Sequence, residues 1–490
     1  MLPESLIFLL AATTVYAQAR PNLELNTVTS LNSQRLPQPP SFAIPQQNKL
    51  CISVALCSDS TTLPRFFVSN ISNSDSQDDP GPNGGPNVFE IVLERGQGNW
   101  TGTFVNGGIL AVDSNGASGL PFELAVADDT PLHENTRDLP FLGDTTSNQA
   151  LLLSPAFQKI DIEKPIYPSY TLPTADNPQP GQPTNSSNIT VIISPTSSGL
   201  ADKLQTGCFL SSQPSVGTIA NETFWARDEQ GWRSQWLMGG LTPSTNYTAY
   251  VLQNSTKVSG PIFFSTKSAS FNCPLVHSLP YCPGVAYSVP LPAPPSGAIS
   301  YDSSNLPTDL TTPLLSYMAN FTTTLTTFAC GRDWYSPIVG CDDCQREYRK
   351  WLCSISFTRC GEPSTENPNG FTAVPGQPSA TGLSATKQTD AAGAQRVLSA
   401  LRPQETRDPP RNPFLPQLGS RYNMLLPCLE QCNQVDRACP PFLQFKCPTN
   451  DFNAAASYGV GYIDSSDGDQ NGGLTGVAQD RWGNVWCNLI

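Results

Sequence analysis

The chain has 490 residues, a formal net charge of −13 and only 14% charged residues. Nucleic-acid binding needs clustered Lys and Arg, so this charge excludes it as the main function. Two histidines, His133 and His277, exclude most histidine-based chemistry. The length predicts about two to four folded units, and the 47 prolines and 36 glycines predict β-rich units joined by proline-rich connections.

The first 19 residues carry the features of a secretory signal peptide. A short apolar stretch centred on Leu6 to Ala12 precedes small residues at Ala17 and Ala19. The apolar run is far shorter than the ~20 residues that span a bilayer, so an uncleaved anchor is the less favoured alternative. We therefore expect a protein of the secretory lumen or the cell exterior, with a flexible polar leader over residues 20–47.

Eight N-x-Ser/Thr sequons predict a protein that carries N-glycans. They lie at Asn70, Asn99, Asn185, Asn188, Asn221, Asn246, Asn254 and Asn320. An oxidising compartment also favours disulfides for the 15 cysteines, with a zinc site as the minority alternative.

Two β-sandwich units are predicted before residue 272. Residues 48–160 alternate short β-favouring runs with Gly/Pro/Asn turns, and residues 161–187 form a proline-rich spacer. Residues 188–271 include a Leu-Thr-Pro-Ser-Thr-Asn-Tyr run that ends at Tyr247. This run resembles the corner of fibronectin type III sandwiches, where a tyrosine hydroxyl bonds to upstream backbone. Tyr247, or alternatively Tyr250, would be that residue.

A proline-rich connection at 272–307 precedes a cysteine-rich, mainly helical domain at 308–490. Its first helix is predicted to begin near Thr312, with Pro313 at the first helical position. An apolar stripe then recurs at spacings of three and four, through Leu314, Met318, Phe321, Leu325 and Phe328. Residues 361–415 are rich in Pro, Gly, Ser and Thr and predict a flexible insertion within this domain.

Two more helices are predicted, one over 341–353 and one from Pro427 to just before Cys439. On the former, Cys344 and Cys353 project to opposite sides, so they must bond to different neighbours. Cys428, Cys432 and Cys439 share one edge of the latter helix.

Twelve cysteines are predicted to form disulfides: Cys273, Cys282, Cys330, Cys341, Cys344, Cys353, Cys360, Cys428, Cys432, Cys439, Cys447 and Cys487. Spacing alone does not define the pairs. If Cys273 bonds Cys282, the odd total leaves one thiol unpaired among Cys51, Cys57 and Cys208.

The cysteine pattern resembles the C-terminal domain of the fungal Mid family. The similarity covers about 330–490 and includes Cys-Gly-Arg-Asp-Trp-Tyr from Cys330, Cys-x2-Cys-x3-Tyr-x2-Trp-Leu-Cys from Cys341, Cys-x3-Cys-x6-Cys-Pro from Cys428, and Trp486-Cys487. The resemblance implies a frizzled-like helical module. It also implies a regulatory component of a stretch-activated calcium channel that partners a four-repeat, Cch-type pore subunit. That component would promote calcium influx linked to stretch, pheromone or stress, at the extracellular face of the plasma membrane and also in the endoplasmic reticulum.

No enzyme and no cofactor are predicted. The two histidines lie in different units and are interpreted as solvated loop residues, without a Ser/His/Asp or Cys/His constellation. Asp467, Asp469 and Asn471 fit the first half of a calcium-binding EF-hand loop. Its twelfth position is Ala478, where a Glu is needed, so a flexible acidic loop is favoured.

Several residues of the cysteine-rich domain are candidates for binding a partner. A local basic cluster could meet an acidic loop of a channel, or it could be an ordinary solvated helix face. Trp334 and Tyr335 could be interface anchors, whereas Trp351 is expected to pack around disulfides. The basic candidates are Arg332, Arg346, Arg349 and Lys350.

Our leading hypothesis is an extracellular subunit of a plasma-membrane calcium channel, which associates with the membrane through its pore-forming partner. A secreted, wall-associated adhesive glycoprotein is one alternative. A frizzled-like receptor module that holds a lipid or peptide ligand is another.

Overall fold

The computed structural model describes residues 20–70, 80–81, 87–117, 119–160, 181–183, 188–330, 332–363, 387–389, 395–397, 401–449, 454–459 and 487–490. The chain divides into two compact units. Unit one comprises residues 1–134 and 203–212, and unit two comprises residues 135–202 and 213–490. Within the described residues, no helix combines the length and the apolar character needed to cross a membrane.

Unit one is built from two four-stranded antiparallel sheets. Their orders are β1–β8–β3–β6 and β2–β7–β4–β5. The rings of Phe66 and Phe122, one from each sheet, meet edge to face at 5.2 Å inside the core. This arrangement is sandwich-like. The strands are β1 (Thr27–Asn32), β2 (Ser41–Ile44), β3 (Gln47–Leu56), β4 (Arg65–Ser69), β5 (Val88–Ile91), β6 (Gln97–Phe104), β7 (Gly108–Asp113) and β8 (Pro121–Ala127).

The prediction of a flexible leader at 20–47 is corrected by two of these strands. β1 and β2 lie inside it, and Leu23, Phe42 and Ile44 are buried in the core of unit one. A distant segment also joins this unit through helix α1 (Gly207–Ser211), which the Cys57–Cys208 disulfide fixes. The Thr206 hydroxyl caps the helix by accepting from the Phe209 N–H and donates to the Leu56 carbonyl at 2.6 Å.

Unit two also contains two four-stranded sheets, with the orders β10–β11–β14–β13 and β12–β15–β16–β9. Leu152 and Trp236 of the first sheet share a buried core with Ile193 and Phe264 of the second. The strands are β9 (Glu134–Asn135, whose first residue is counted in unit one), β10 (Phe141–Thr145), β11 (Ala150–Leu153), β12 (Ile189–Pro195), β13 (Thr218–Asp228), β14 (Gly231–Gly239), β15 (Asn246–Gln253) and β16 (Lys257–Ser265).

The predicted tyrosine hydrogen bond is present at the start of β15. Tyr247 is buried, stacks on Phe264 with ring centroids 5.4 Å apart, and accepts a hydrogen bond from the Thr242 N–H at 2.8 Å. The predicted boundaries need correction, because β10 and β11 belong to this sheet pair although they precede residue 188. Most of the spacer predicted at 161–187 lies outside the described residues.

The segment predicted as a connection at 272–307 is instead part of the core of unit two. Its Val276, Leu279, Val285 and Val289 are fully buried against residues of the helices. The short strands β17 (Leu275–Val276) and β18 (Tyr287–Ser288) pair within it. Proline content indicated a linker, but the apolar residues between the prolines give the segment enough buried surface to pack.

The remaining elements are mainly helical: α2 (Thr308–Thr326), α3 (Cys341–Ser356), α4 (Leu429–Ala438) and α5 (Ala454–Ser457). Helix α2 begins at Thr308, before the predicted start, and Pro313 lies inside it. Leu310 explains the difference, because it is 1% exposed and extends the buried stripe by one turn. Further strands are β19 (Arg359–Gly361), β20 (Lys387–Thr389), β21 (Gln395–Val397), β22 (Leu401–Gln404) and β23 (Tyr422–Leu425).

The insertion predicted at 361–415 is partly ordered. Strands β19, β23 and β22 form one sheet, and Leu415 is 3% exposed in the core. Much of the remainder, including 364–386, lies outside the described residues. The described chain is thus mostly β-sheet with few helices and several disulfides.

Candidate partner-binding site

All fifteen cysteines fall among the described residues, and fourteen of them form seven disulfides. The pairs are Cys57–Cys208, Cys273–Cys360, Cys282–Cys353, Cys330–Cys341, Cys344–Cys439, Cys428–Cys487 and Cys432–Cys447. Cys51 is the free, buried cysteine. The conditional pairing of Cys273 with Cys282 is therefore wrong, and each of these cysteines instead bonds to a residue in or just after α3.

Disulfides link helix α3 to the end of α4 and to the segment that contains Cys282. Its first turn contains Asp342 and Asp343, which suit the positive end of the helix dipole, and the Gly340 N–H donates to the Asp343 carboxylate at 2.8 Å. From opposite sides of the helix, Cys344 bonds to Cys439 at the end of α4, and Cys353 bonds to Cys282. We call α2, α3 and α4, together with the described residues that connect and follow them, the disulfide module.

An aromatic cluster fills the module between the disulfides. Phe321 of α2 stacks on Tyr348 of α3 with ring centroids 3.5 Å apart. Trp351 meets Phe445 edge to face at 4.9 Å, and its Nε1 donates to the Tyr458 hydroxyl at 3.0 Å. Trp351 therefore packs internally, as expected.

The loop between α2 and α3 presents two large apolar side chains to solvent. We call it the 330–341 loop, because the Cys330–Cys341 disulfide closes it. Trp334 is 82% exposed and Ile338 is 87% exposed. The loop borders a cavity of about 180 Å³, which both side chains line.

Tyr335 fixes this loop to the module. Its hydroxyl donates to the Ala438 carbonyl at 2.8 Å, and its ring packs edge to face on Phe328. Burial, with smaller effects from the carboxylates of Asp343 and Asp342, raises the pKa of Tyr335 to about 12, so the hydroxyl stays a donor at neutral pH. Tyr335 is thus an internal anchor, which leaves Trp334 exposed.

The Ser336 hydroxyl adds local order by accepting from the N–H groups of Ile338 and Val339. Together with the disulfide and Tyr335, this turn presents the exposed side chains on a short, constrained loop. Ile338 was not predicted as a candidate. Its apolar character and its position between closely spaced cysteines could have identified it as one.

The basic candidates mostly face acidic residues of their own chain. Arg346 contacts Glu229 and lies 2.6 Å from Asp343, while Lys350 lies 3.3 Å from Glu347 and 3.7 Å from Glu229. Glu229 comes from the β13–β14 turn, far away in sequence, so sequence reasoning missed it.

The other two basic candidates are also engaged. Arg332 pairs with its neighbour Asp333 at 2.8 Å, and Arg349 has an interaction partner as well. The predicted cluster is therefore largely neutralised, whereas Trp334 and Ile338 of the 330–341 loop are exposed.

The interpretation of the histidines as solvated loop residues is wrong. His133 is 1% exposed and lies 3.1 Å from the Ser53 hydroxyl. His277 is 3% exposed, and its two ring nitrogens lie 2.8 and 2.9 Å from the hydroxyls of Ser278 and Ser300. The second ring nitrogen of His133 lies 3.2 Å from the Glu123 carboxylate, so both histidines are buried with polar partners at each nitrogen.

Two groups of three potential metal ligands occur among the described residues, namely Cys57, Glu123 and Cys208, and Cys428, Glu430 and Cys487. Each contains a disulfide, whose sulfurs are not the thiolates that a metal site requires. The calcium candidates Asp467, Asp469 and Asn471 lie outside the described residues.

Most sequon asparagines are accessible. Asn99, Asn188, Asn221, Asn246, Asn254 and Asn320 are exposed, Asn70 is half-buried, and Asn185 lies outside the described residues. The exposed positions occur in both units, so glycans remain a prediction for each of them.

Comparison with known proteins identifies relatives along most of the chain. Residues 49–476 match the Mid1 family model, described as a stretch-activated Ca²⁺-permeable channel component. A stretch-activated cation channel from Cryptococcus neoformans is 33% identical over 96% of this chain and 84% of its own length. The protein yam8 of Schizosaccharomyces pombe, another stretch-activated cation channel, is 26% identical over 73% of this chain and 64% of its own. A stretch-activated cation channel from Saccharomyces cerevisiae is 27% identical over 43% of this chain and 34% of its own.

Proposed function

This chain belongs to the Mid1 family of stretch-activated, Ca²⁺-permeable channel components, and from that premise we propose that it is an extracellular regulatory subunit of a fungal plasma-membrane calcium channel. It performs no catalysis. It promotes calcium influx during stretch, pheromone response or stress by binding a Cch-type pore-forming subunit. Its membrane association comes through that partner, and its exposed sequons carry glycans.

The exposed apolar pair on the 330–341 loop is the observation that supports binding most strongly. Interface hot spots are enriched in tryptophan, and large apolar side chains that project from an ordered loop favour a protein contact. Burial of Trp334 and Ile338 would remove roughly 300 Å² of apolar surface, a gain of ~7 kcal/mol before the costs of association.

Because the basic residues already pair within the chain, their role in binding the partner is secondary. Arg346 and Lys350 would have to leave Glu229 before meeting a partner's carboxylates, so their net contribution is small. The apolar loop makes the central contact, and Arg332, with 81% of its side chain exposed, lies at its rim.

A double substitution, Trp334→Ala with Ile338→Ser, tests the proposal in a fungal strain without its own copy of this protein. We expect about tenfold or greater loss of pore subunit co-purified from detergent extracts, with a matching loss of calcium uptake. The tagged, full-length variant is compared with wild type for secreted or membrane-bound amount and for free-thiol content, which report folding.

Val105→Ser with Ile219→Ser is the matched control, because these apolar side chains are 62% and 51% exposed elsewhere in the chain. The control variant should co-purify like wild type. Normal co-purification and calcium uptake by the loop variant would contradict the proposed contact. Recovery of wild type only from wall extracts would favour an adhesive glycoprotein instead.

A further inference from the structure

A second cavity, of about 600 Å³, lies in the β-sheet part of unit two. Three segments line it: residues 137–141, residues 155–159, and residues around the β13–β14 turn. None of these residues belongs to the 330–341 loop. The volume lies within the roughly 300–1,000 Å³ typical of small-molecule sites and far exceeds the space that an inorganic ion needs.

Two arginines from β13 and β14 form the polar wall of this cavity. The side chain of Arg233 is 6% exposed and donates to the Ser154 carbonyl at 2.9 Å and to the Gln230 side-chain oxygen. It also lies 3.4 Å from the Asp228 carboxylate. Arg227 lies 4.0 Å above the centre of the Phe141 ring and donates to the Gly284 carbonyl at 3.3 Å.

Both guanidinium groups retain unused hydrogen-bonding capacity. The Nε atoms of Arg227 and Arg233 are buried and have no hydrogen-bond partner among the residues that the structure describes. A buried donor without a partner is costly, and a bound oxyanion would supply acceptors for both atoms.

The charges around the cavity are also unbalanced. Among the described residues, its lining contains four cationic side chains, Arg137, Lys159, Arg227 and Arg233, and two acidic ones, Asp138 and Asp228. Burial, the largest cause, lowers the pKa of Arg227 to about 10 against the opposing effect of Asp228, and the charges of Arg233 and Arg359 lower it further. This local excess of positive charge contrasts with the net charge of −13 on the whole chain.

We infer that this cavity binds a small organic anion, with its phosphate or carboxylate group paired to Arg233 and Arg227 and its apolar body placed against Phe141 and Phe157. Arginine suits both oxyanions, because its N–H groups donate charge-assisted hydrogen bonds to phosphate and carboxylate oxygens. Arg137 and Lys159, which are exposed, attract the anion at the entrance. This site is independent of the proposed contact with a pore subunit.

Binding of phenyl phosphate to the purified full-length protein tests this inference by calorimetry and thermal unfolding. We expect saturable binding and a rise in Tm, with at least about tenfold weaker binding of inorganic phosphate and no effect of benzyl alcohol. Arg233→Gln should weaken binding by about tenfold or more.

Because Arg233 is buried, a second variant changes only the entrance. Arg137→Gln with Lys159→Gln should fold like wild type and bind phenyl phosphate several-fold more weakly, with a smaller dependence on salt. Arg407→Gln, a change at an arginine whose side chain is 86% exposed and which lies outside the cavity lining, is the control and should bind normally.

Three results would overturn the inference. Phenyl phosphate could fail to bind wild type saturably, the entrance variant could bind like wild type, or inorganic phosphate could bind as tightly as phenyl phosphate. The last result would indicate a bare oxyanion site without a role for the aromatic walls.

Discussion

At the scale of single residues, the interior of unit two holds ionisable groups whose partners come from distant parts of the chain. Asp144 lies 3.1 Å from both the Lys267 ammonium and the Arg359 guanidinium, and it also accepts from the Ser288 N–H. Burial opposes ionisation of Asp144, but the charges of Arg359 and Lys267 hold its pKa below the usual value. Sequence patterns gave no signal for this cluster, because its members are joined only in the fold.

Removal of the Asp144 carboxylate should therefore be strongly destabilising. Asp144→Ala leaves the 4% exposed Arg359 side chain without its carboxylate, so we expect a loss of about 3–5 kcal/mol in the free energy of unfolding. Urea unfolding followed by tryptophan fluorescence measures it.

The control for this prediction is Glu90→Ala, which breaks an ion pair with Arg65 whose side chains are both 39% exposed. It should cost less than about 1 kcal/mol. Equal losses in the two variants would contradict the account of Asp144.

His277 predicts a specific dependence of stability on pH. Burial lowers its pKa to about 4, although Asp302 acts in the opposite direction. The unfolded chain, with a histidine pKa of about 6.5, binds the proton more tightly than the folded chain. Stability should fall as the pH drops from about 6.5 to about 4, with a contribution of ~3 kcal/mol lost from this residue by pH 4.

The variant His277→Gln isolates that contribution, since carboxylates also titrate in this range. Its free energy of unfolding should fall less steeply than that of wild type between pH 6.5 and pH 4. Parallel curves for the two proteins would show that His277 does not carry the effect.

At the scale of elements, helices α2, α3 and α4 depend on covalent links as well as on packing. Periodicity predicted the buried stripe of α2, and helical geometry predicted that Cys344 and Cys353 bond to different neighbours. The partner of each cysteine could not be predicted, because a disulfide forms between cysteines that are close in the fold, whatever their spacing in sequence.

The Cys344–Cys439 disulfide should stabilise the module more than the Cys432–Cys447 disulfide. The former joins residues 95 apart in sequence, whereas the latter joins residues 15 apart, and a longer loop loses more entropy when it is closed. Replacement of both cysteines by serine should cost about 4–5 kcal/mol at the long loop and about 3 kcal/mol at the short one.

Urea unfolding under non-reducing conditions provides the comparison, with mass spectrometry to verify that the other six disulfides persist in each variant. A larger loss at the short loop would contradict the ordering.

At the scale of the whole molecule, the sequence supported the broad organisation better than the boundaries. The progression from β units to a disulfide-tied helical region, and the family itself, could be predicted from turn residues, periodicity and the cysteine pattern after Cys330. The contributions of residues 20–47 and 272–307 to the cores could not, since proline-bearing segments resemble linkers until the burial of residues such as Phe42 and Val285 is known.

The candidate site was likewise predictable only in part from the sequence. Trp334 was a candidate from its type and position, but its exposure, the internal role of Tyr335 and the pairing of Arg346 with Glu229 depend on long-range contacts. The family match over residues 49–476 also extends well beyond the cysteine-rich region on which the resemblance rested.

Site-specific photocrosslinking tests the central claim most directly. A photoreactive phenylalanine analogue replaces Trp334 in the full-length protein in fungal cells, and the same analogue at the exposed Ile219 is the control. Ultraviolet light should join position 334, but not position 219, to an extracellular loop of a four-repeat channel protein, identified by mass spectrometry. Crosslinks from position 334 only to wall components, or equal capture of the channel protein from both positions, would contradict the account.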